Sequence, residues 1–179
     1  MRISPAFTGY RRVLAVVSVP LLVLSAVSLA RADPPGDAGP NPYPSDDLIY
    51  ATYDRAEPGR FFVPGIYGVF FQSPTGLNCG IWVRGSFGCS GPIPGAPPGA
   101  SHIAWFNGDK TVHYDPTAAI QYPNVQPPQV LSPGSYVSWN ETTCATTMDS
   151  STYCKRGSFR FLITDHGTWL SPWYEPQRW

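Results

Sequence analysis

Cys79-Gly80-Ile81-Trp82-Val83-Arg84-Gly85-Ser86-Phe87-Gly88-Cys89 is the stretch on which the reading of the fold turns. Side chains alternate between the two faces of an extended chain. If residues 81–83 and 87–89 are the arms of a hairpin turning at Arg84-Gly85-Ser86, opposed residue numbers sum to 168 and Cys79 faces Cys89. That register gathers Cys79, Ile81, Val83, Phe87 and Cys89 on one face, a core face closed by a cross-strand bridge. Directly opposed strand residues lie within disulfide reach.

The same spacing recurs at Cys144 and Cys154, which would turn about Asp149 inside the polar stretch 146–152, where apolar alternation is weaker. By count alone four cysteines allow three pairings, and strand geometry favours the local one in each half. No Cys-x-x-Cys is present to suggest a redox or zinc centre. The repeated spacing is compatible with an internal duplication, although the two halves share little identity beyond it.

Outward from these hairpins run short segments rich in Val, Ile, Tyr, Phe, Trp and Thr, residues that suit a pleated, half-buried surface. They fall at 66–72, 79–83, 87–90, 102–106, 111–114, 135–140, 158–164 and 168–170. The clearest alternation sets Phe159, Phe161 and Ile163 against Arg160, Leu162 and Thr164. Of three Pro- and Gly-rich stretches, 33–45 is too poor in apolar residues to fold on its own, and 91–100 and 123–133 cannot enter a helix or a central strand. The first reads as an extended, disordered leader and the others as surface connections. Residues 46–53 are the best place for one short helix. The fold class that follows is all-β: a small sandwich or barrel of about eight short antiparallel strands with two disulfides, after an N-terminal signal helix.

That signal is read from Arg2, Arg11 and Arg12, the apolar run 13–29 and Ala30-Arg31-Ala32, the layout of a cleavable export peptide. The alternative is an uncleaved anchor, since the run is borderline for a bilayer span of about 20 residues. The Arg11-Arg12 pair leaves the export route open. Cleavage after Ala32 leaves 147 residues, 33–179, organised as the leader 33–45 and a single domain over 46–179. Eight basic residues then face twelve acidic ones, a formal charge of −4. Such a balance argues against nucleic acid as a partner, because phosphate calls for a basic surface stripe. Export also places the cysteines where thiols oxidise.

At Phe71-Gln72-Ser73-Pro74-Thr75-Gly76-Leu77-Asn78-Cys79, at Cys89-Ser90-Gly91-Pro92-Ile93-Pro94 and at Gly167-Thr168-Trp169-Leu170, the chain resembles small exported proteins of mycobacteria and related actinobacteria. These carry a Phe-x-Ser/Thr-Pro-Ser/Thr-Gly-x-x-Cys unit after a signal peptide. The resemblance implies a secreted or cell-envelope protein and brings no catalytic residue with it. Read as structure, Pro74 and Gly76 form a tight turn between two strands.

Candidate chemistry is sparse. No serine stands in Gly-x-Ser-x-Gly, and paired cysteines leave no free thiol nucleophile. His113 and Asp115, two apart on an expected strand, share a face; with His102 from a neighbouring strand they would form a His/His/Asp metal group. Asp165-His166 precedes Gly167 and reads as a turn. All six Trp, nine of ten Tyr and eight of nine Phe follow Ala32, and most should fill a thin β-core. Trp169, Trp173, Tyr174 and Trp179, in a terminus broken by Pro172 and Pro176, are the candidates for an exposed stacking face toward envelope carbohydrate or protein. The sequence calls for no cofactor. The preferred expectation is a non-enzymatic binding module outside the cytoplasm, and its rival a small secreted hydrolase of envelope polymer using His102, His113 and Asp115.

Overall fold

The computed structural model of the chain describes residues 41–123 and 127–171. A short helix α1 (Asp46–Thr52) leads into the two-residue strand β1 (Asp54–Arg55). The chain then lays down an antiparallel meander in strict order: β2 (Phe62–Val63), β3 (Ile66–Gln72), β4 (Asn78–Ile81), β5 (Phe87–Ser90), β6 (His102–Trp105) and β7 (His113–Tyr114). A second meander follows: β8 (Ser135–Trp139), β9 (Thr142–Thr146), β10 (Thr152–Arg156), β11 (Phe159–Ile163) and β12 (Thr168–Leu170). β1 completes it, parallel beside β8, so each sheet has six strands.

Both cystines close within their own hairpins, Cys79–Cys89 across β4 and β5 and Cys144–Cys154 across β9 and β10. Register in the first hairpin is the expected one, with Gly80 opposite Gly88 and Ile81 opposite Phe87. Its turn differs. The Trp82 amide donates to Ser86 O at 2.8 Å, so the loop is Val83-Arg84-Gly85 and Val83 leaves the core face, 53% exposed. Arg84 and Gly85 both take left-handed backbone, at φ 56° and 72°, which ends the alternation one residue early.

Four strands lie outside the segments picked by side-chain pattern, although the cysteine spacing already places a hairpin turning about Asp149. β9 and β10 are threonine-rich, yet all five residues of β9 are buried, because β-branched Thr fits a pleat and its hydroxyls find backbone acceptors. Thr142 donates to Gly85 O at 2.6 Å and Thr146 to Leu131 O at 3.0 Å. β1 and β2 are too short to leave a pattern.

The inner faces meet in one core that holds both cystines together with Val69, Phe71, Ile81, Phe87, Ile103, Val137, Phe161 and Ile163. Phe87 reaches across to Phe161 with ring centroids 5.7 Å apart, and Trp105 stacks on Phe159 at 4.8 Å. The architecture is therefore a sandwich. Burying one such ring contributes about 1.5–3 kcal/mol, comparable with what one short-loop cystine contributes.

Each outer face has its own cover. Over the second sheet lies α1, capped by Ser45 Oγ accepting from the Leu48 amide at 3.2 Å, with Asp46 and Asp47 in the first turn where the helix dipole favours negative charge. Ile49 packs there on Tyr136, Ala145, Tyr153 and Leu162. Tyr43 joins them, only 8% exposed, so packing begins before Asp46, inside the segment read as leader. Over the first sheet lies a 3-10 turn (Pro116–Gln121) that seats Ala118 against Phe70, Trp82 and Ala104. No described helix is long and apolar enough to cross a membrane, and residues 1–32, read as a signal peptide, lie outside the described residues.

Candidate binding surface

His113 and Asp115 do meet, Nε2 to Oδ2 at 3.3 Å, with Asp109 Oδ2 3.8 Å from the other ring nitrogen. His102 stands beside them in register, since its carbonyl accepts from the Asp115 amide at 3.1 Å. Its ring, however, bonds Ser101 Oγ through Nδ1 at 3.0 Å. Among the described residues no three His, Cys, Asp or Glu side chains gather closely enough to hold a metal ion, so the His102/His113/Asp115 group does not form. Asp115 is engaged otherwise: it caps the 3-10 turn, accepting from the Thr117 amide at 2.7 Å and hydroxyl at 2.6 Å. The Thr117 hydroxyl is the main reason its carboxyl is held below the usual range. Asp165 and His166, 3.4 Å apart, are both exposed on a turn.

Trp169 lies opposite Leu162 and is half-buried against the tyrosine cluster under α1, a packed rather than a presented ring. Trp173, Tyr174 and Trp179 fall outside the described residues.

The aromatic face that is presented lies elsewhere, at the end of the sandwich where the β4–β5 turn meets the β8–β9 turn. An open depression of about 680 Å³ is lined there by Tyr67, Val83, Arg84, Asn107, Asn140, Glu141 and Arg156. Tyr67, 61% exposed, packs against Trp139 from the other sheet with centroids 4.7 Å apart. Phe62, 53% exposed, approaches the same indole edge-on at 6.5 Å. Asn140 Nδ2 bonds Tyr67 Oη at 3.4 Å, tying the aromatic pair to the polar rim.

Backbone strain concentrates at the same place. Four non-glycine residues have left-handed φ among the described ones, and three of them, Arg84, Asn140 and Glu141, line this depression. Asn140-Glu141 forms a two-residue turn with φ 47° and 62°, the geometry that ordinarily takes Asn-Gly. A glutamate in the second position costs on the order of 1 kcal/mol, tolerated where surrounding contacts over-determine the backbone. Arg156 supplies those contacts: its guanidinium donates to Asn140 O and to Glu141 Oε2, the latter at 2.8 Å, and lies over the Trp105 ring. A Cβ on Gly85 would overlap the Asn140 carbonyl as well as the Arg156 guanidinium, so only glycine lets the two turns close on each other. Arg84 is exposed and has no ion-pair partner among the described residues. The Tyr67 ring, two carboxamides, a carboxylate and the Arg84 guanidinium thus share one concave rim.

Sequence reasoning missed this cluster because β3 is apolar at almost every position, which hides the side Tyr67 faces. The one available signal was Asn140-Glu141 directly after Trp139, a tight-turn pair with the wrong second residue. Comparison with family models, with curated proteins and with solved structures finds no match.

Proposed function

We propose that this is an exported, non-enzymatic binding module of the cell envelope or its surroundings, and that the rim around Tyr67 and Trp139 is its contact surface. The observation that carries the reading is the coincidence, at one open depression, of the exposed Tyr67 ring, backed by the half-buried Trp139, with three strained non-glycine residues. Strain persists where it positions functional groups, and large exposed aromatic patches mark interaction sites. Aromatic faces take the apolar face of a sugar ring, while Asn107, Asn140, Glu141 and Arg84 offer hydrogen bonds to its hydroxyls, so an envelope glycan is the partner that fits. Export is supported by the three-part leader, by the resemblance to small exported actinobacterial proteins, and by two cystines suited to an oxidising compartment.

The test is co-sedimentation of the oxidised 33–179 protein with isolated cell-envelope material. Wild-type protein is expected to be retained, and Tyr67→Ala with Trp139→Ala to reduce retention at least tenfold without loss of the folded spectrum. Equal retention of the double variant would refute the assigned surface, and release of soluble sugar ends by the protein would transfer the case to the hydrolase.

A further inference from the structure

A second cavity, remote from the turn rim, lies on the outer face of the first sheet beside the 3-10 turn. It holds about 320 Å³, within the range of small-ligand sites. Its floor carries a row of polar side chains, one from each of four adjacent strands. Gln72 is opposite Asn78, Asn78 opposite Ser90, and Ser90 opposite His102. Directly paired residues share a face, so these groups stand in line about 4.8 Å apart across the sheet.

The walls are built for the space. The row next to the polar one reads Phe70, Gly80, Gly88, Ala104, again directly paired. A Cβ on Gly80 would lie 2.7 Å from the Phe70 ring, and one on Gly88 only 2.6 Å from Tyr122 Oη. Two aromatic side chains therefore rest on two glycines and flank the polar floor. Tyr122 is also held by an edge-on contact with Trp82, centroids 5.6 Å apart. Its hydroxyl is buried without a hydrogen-bond partner among the described residues. Pro128 and Gln129 line the far side, fixed where Gln72 N donates to Gln129 O at 2.8 Å and Leu131 N to Gln72 O at 3.0 Å.

None of the twelve lining residues is Asp, Glu, Lys or Arg. Carboxamides, a hydroxyl and an imidazole both donate and accept, which matches vicinal hydroxyls, each itself a donor and an acceptor. An ionic ligand would be desolvated here without a counter-charge. We infer that this cavity is a binding site for a neutral mono- or disaccharide, with Gln72, Asn78, Ser90 and His102 reading its hydroxyls and Phe70 and Tyr122 covering its apolar edges.

The experiment is an amide NMR titration of the oxidised 33–179 protein with glucose, N-acetylglucosamine, maltose and cellobiose, with glucuronate and a blocked dipeptide as controls. Saturable shifts at Asn78, Ser90 and His102 with at least one neutral sugar are expected. Asn78→Ala, at an exposed position, should weaken that binding at least tenfold, whereas Tyr67→Ala should leave it unchanged. The inference is overturned if no neutral sugar gives saturable shifts, if the shifts map to Tyr67 and Trp139 instead, or if glucuronate or the dipeptide binds as well as the sugars. Because envelope retention is read through Tyr67 and Trp139, either site can fail while the other stands.

Discussion

The two cystine hairpins share one backbone device and diverge in what they hang on it. In each, the third and fourth strands of a six-stranded sheet are bridged, three residues separate the cysteine from the loop, and the loop closes with the same pair of bonds. Trp82 N donates to Ser86 O at 2.8 Å and Gly85 N to Trp82 O at 3.0 Å; Thr147 N donates to Ser151 O and Ser150 N to Thr147 O, both at 2.9 Å. Gly85 therefore corresponds to Ser150, each left-handed, at φ 72° and 67°. On the outer faces Gly80 and Gly88 correspond to Ala145 and Tyr153. The first hairpin leaves its outer face bare, and rings from elsewhere settle on it around a cavity. The second fills that space with Tyr153, fully buried under α1. Equal staples thus support a sheet with a site and a sheet with a lid, and the difference lies in two residues.

The largest effect should come from removing the staples. Both enclose loops of the same length, so Cys79→Ala with Cys89→Ala and Cys144→Ala with Cys154→Ala should each cost about 3 kcal/mol by chain entropy. Chemical denaturation of the two double variants checks this. A gap of more than about 1.5 kcal/mol would show that packing, not loop closure, dominates one of them.

Smaller and opposite in sign are the turn substitutions. Gly85→Ala meets both a left-handed backbone and the Asn140 carbonyl, and should destabilise by about 2 kcal/mol or more. Ser150→Gly relieves a left-handed serine on an open turn and should stabilise by about 1 kcal/mol. Thermal melts of the pair would sharpen the correspondence; a loss of stability in Ser150→Gly would break it.

The smallest effect is a pH response whose acid limb is confined to the second hairpin. Asp149 closes its loop, bonded to the Thr147 hydroxyl and accepting from Ser151 N at 3.2 Å, and the Thr147 bond is the main cause of its lowered pKa. Its contribution is present above the usual carboxylate range and is lost as pH falls through the depressed value. Burial pushes the Tyr153 phenol up to about 12. That contribution is whole below about pH 10, where an unfolded tyrosine begins to ionise, and is lost as pH rises through the folded value. Amide exchange at Ala145 and Tyr153 should therefore accelerate at both extremes. Gly80 and Gly88 have no carboxylate in their turn but carry the Tyr122 phenol, which burial also pushes up, so their exchange should accelerate only at the alkaline extreme.

How much was legible in advance depends on side-chain contrast. The first hairpin announced itself because Ile81 and Phe87 stand two residues from cysteines that must meet, and β3, β5 and β12 matched their predicted bounds. β9 and β10 were signalled only by their cysteine spacing and not by side-chain pattern, since threonine reads as polar although both their faces are covered. Val83 was misplaced because turn type depends on φ at Arg84, which no pattern of polarity reports. The sites were less legible still. The polar row of Gln72, Asn78, Ser90 and His102 exists only once four strands are in register, and Tyr67 meets Trp139 only once two sheets are stacked. Local chemistry could not have joined them.

The most direct test of an exported sandwich stapled hairpin by hairpin is mass mapping of the protein recovered from culture medium, with and without reductant. The expected result is a chain beginning at Asp33 with two linkages, Cys79 to Cys89 and Cys144 to Cys154. Free thiols in the folded protein, a bridge joining the two sheets, or retention of residues 1–32 on the secreted chain would contradict it.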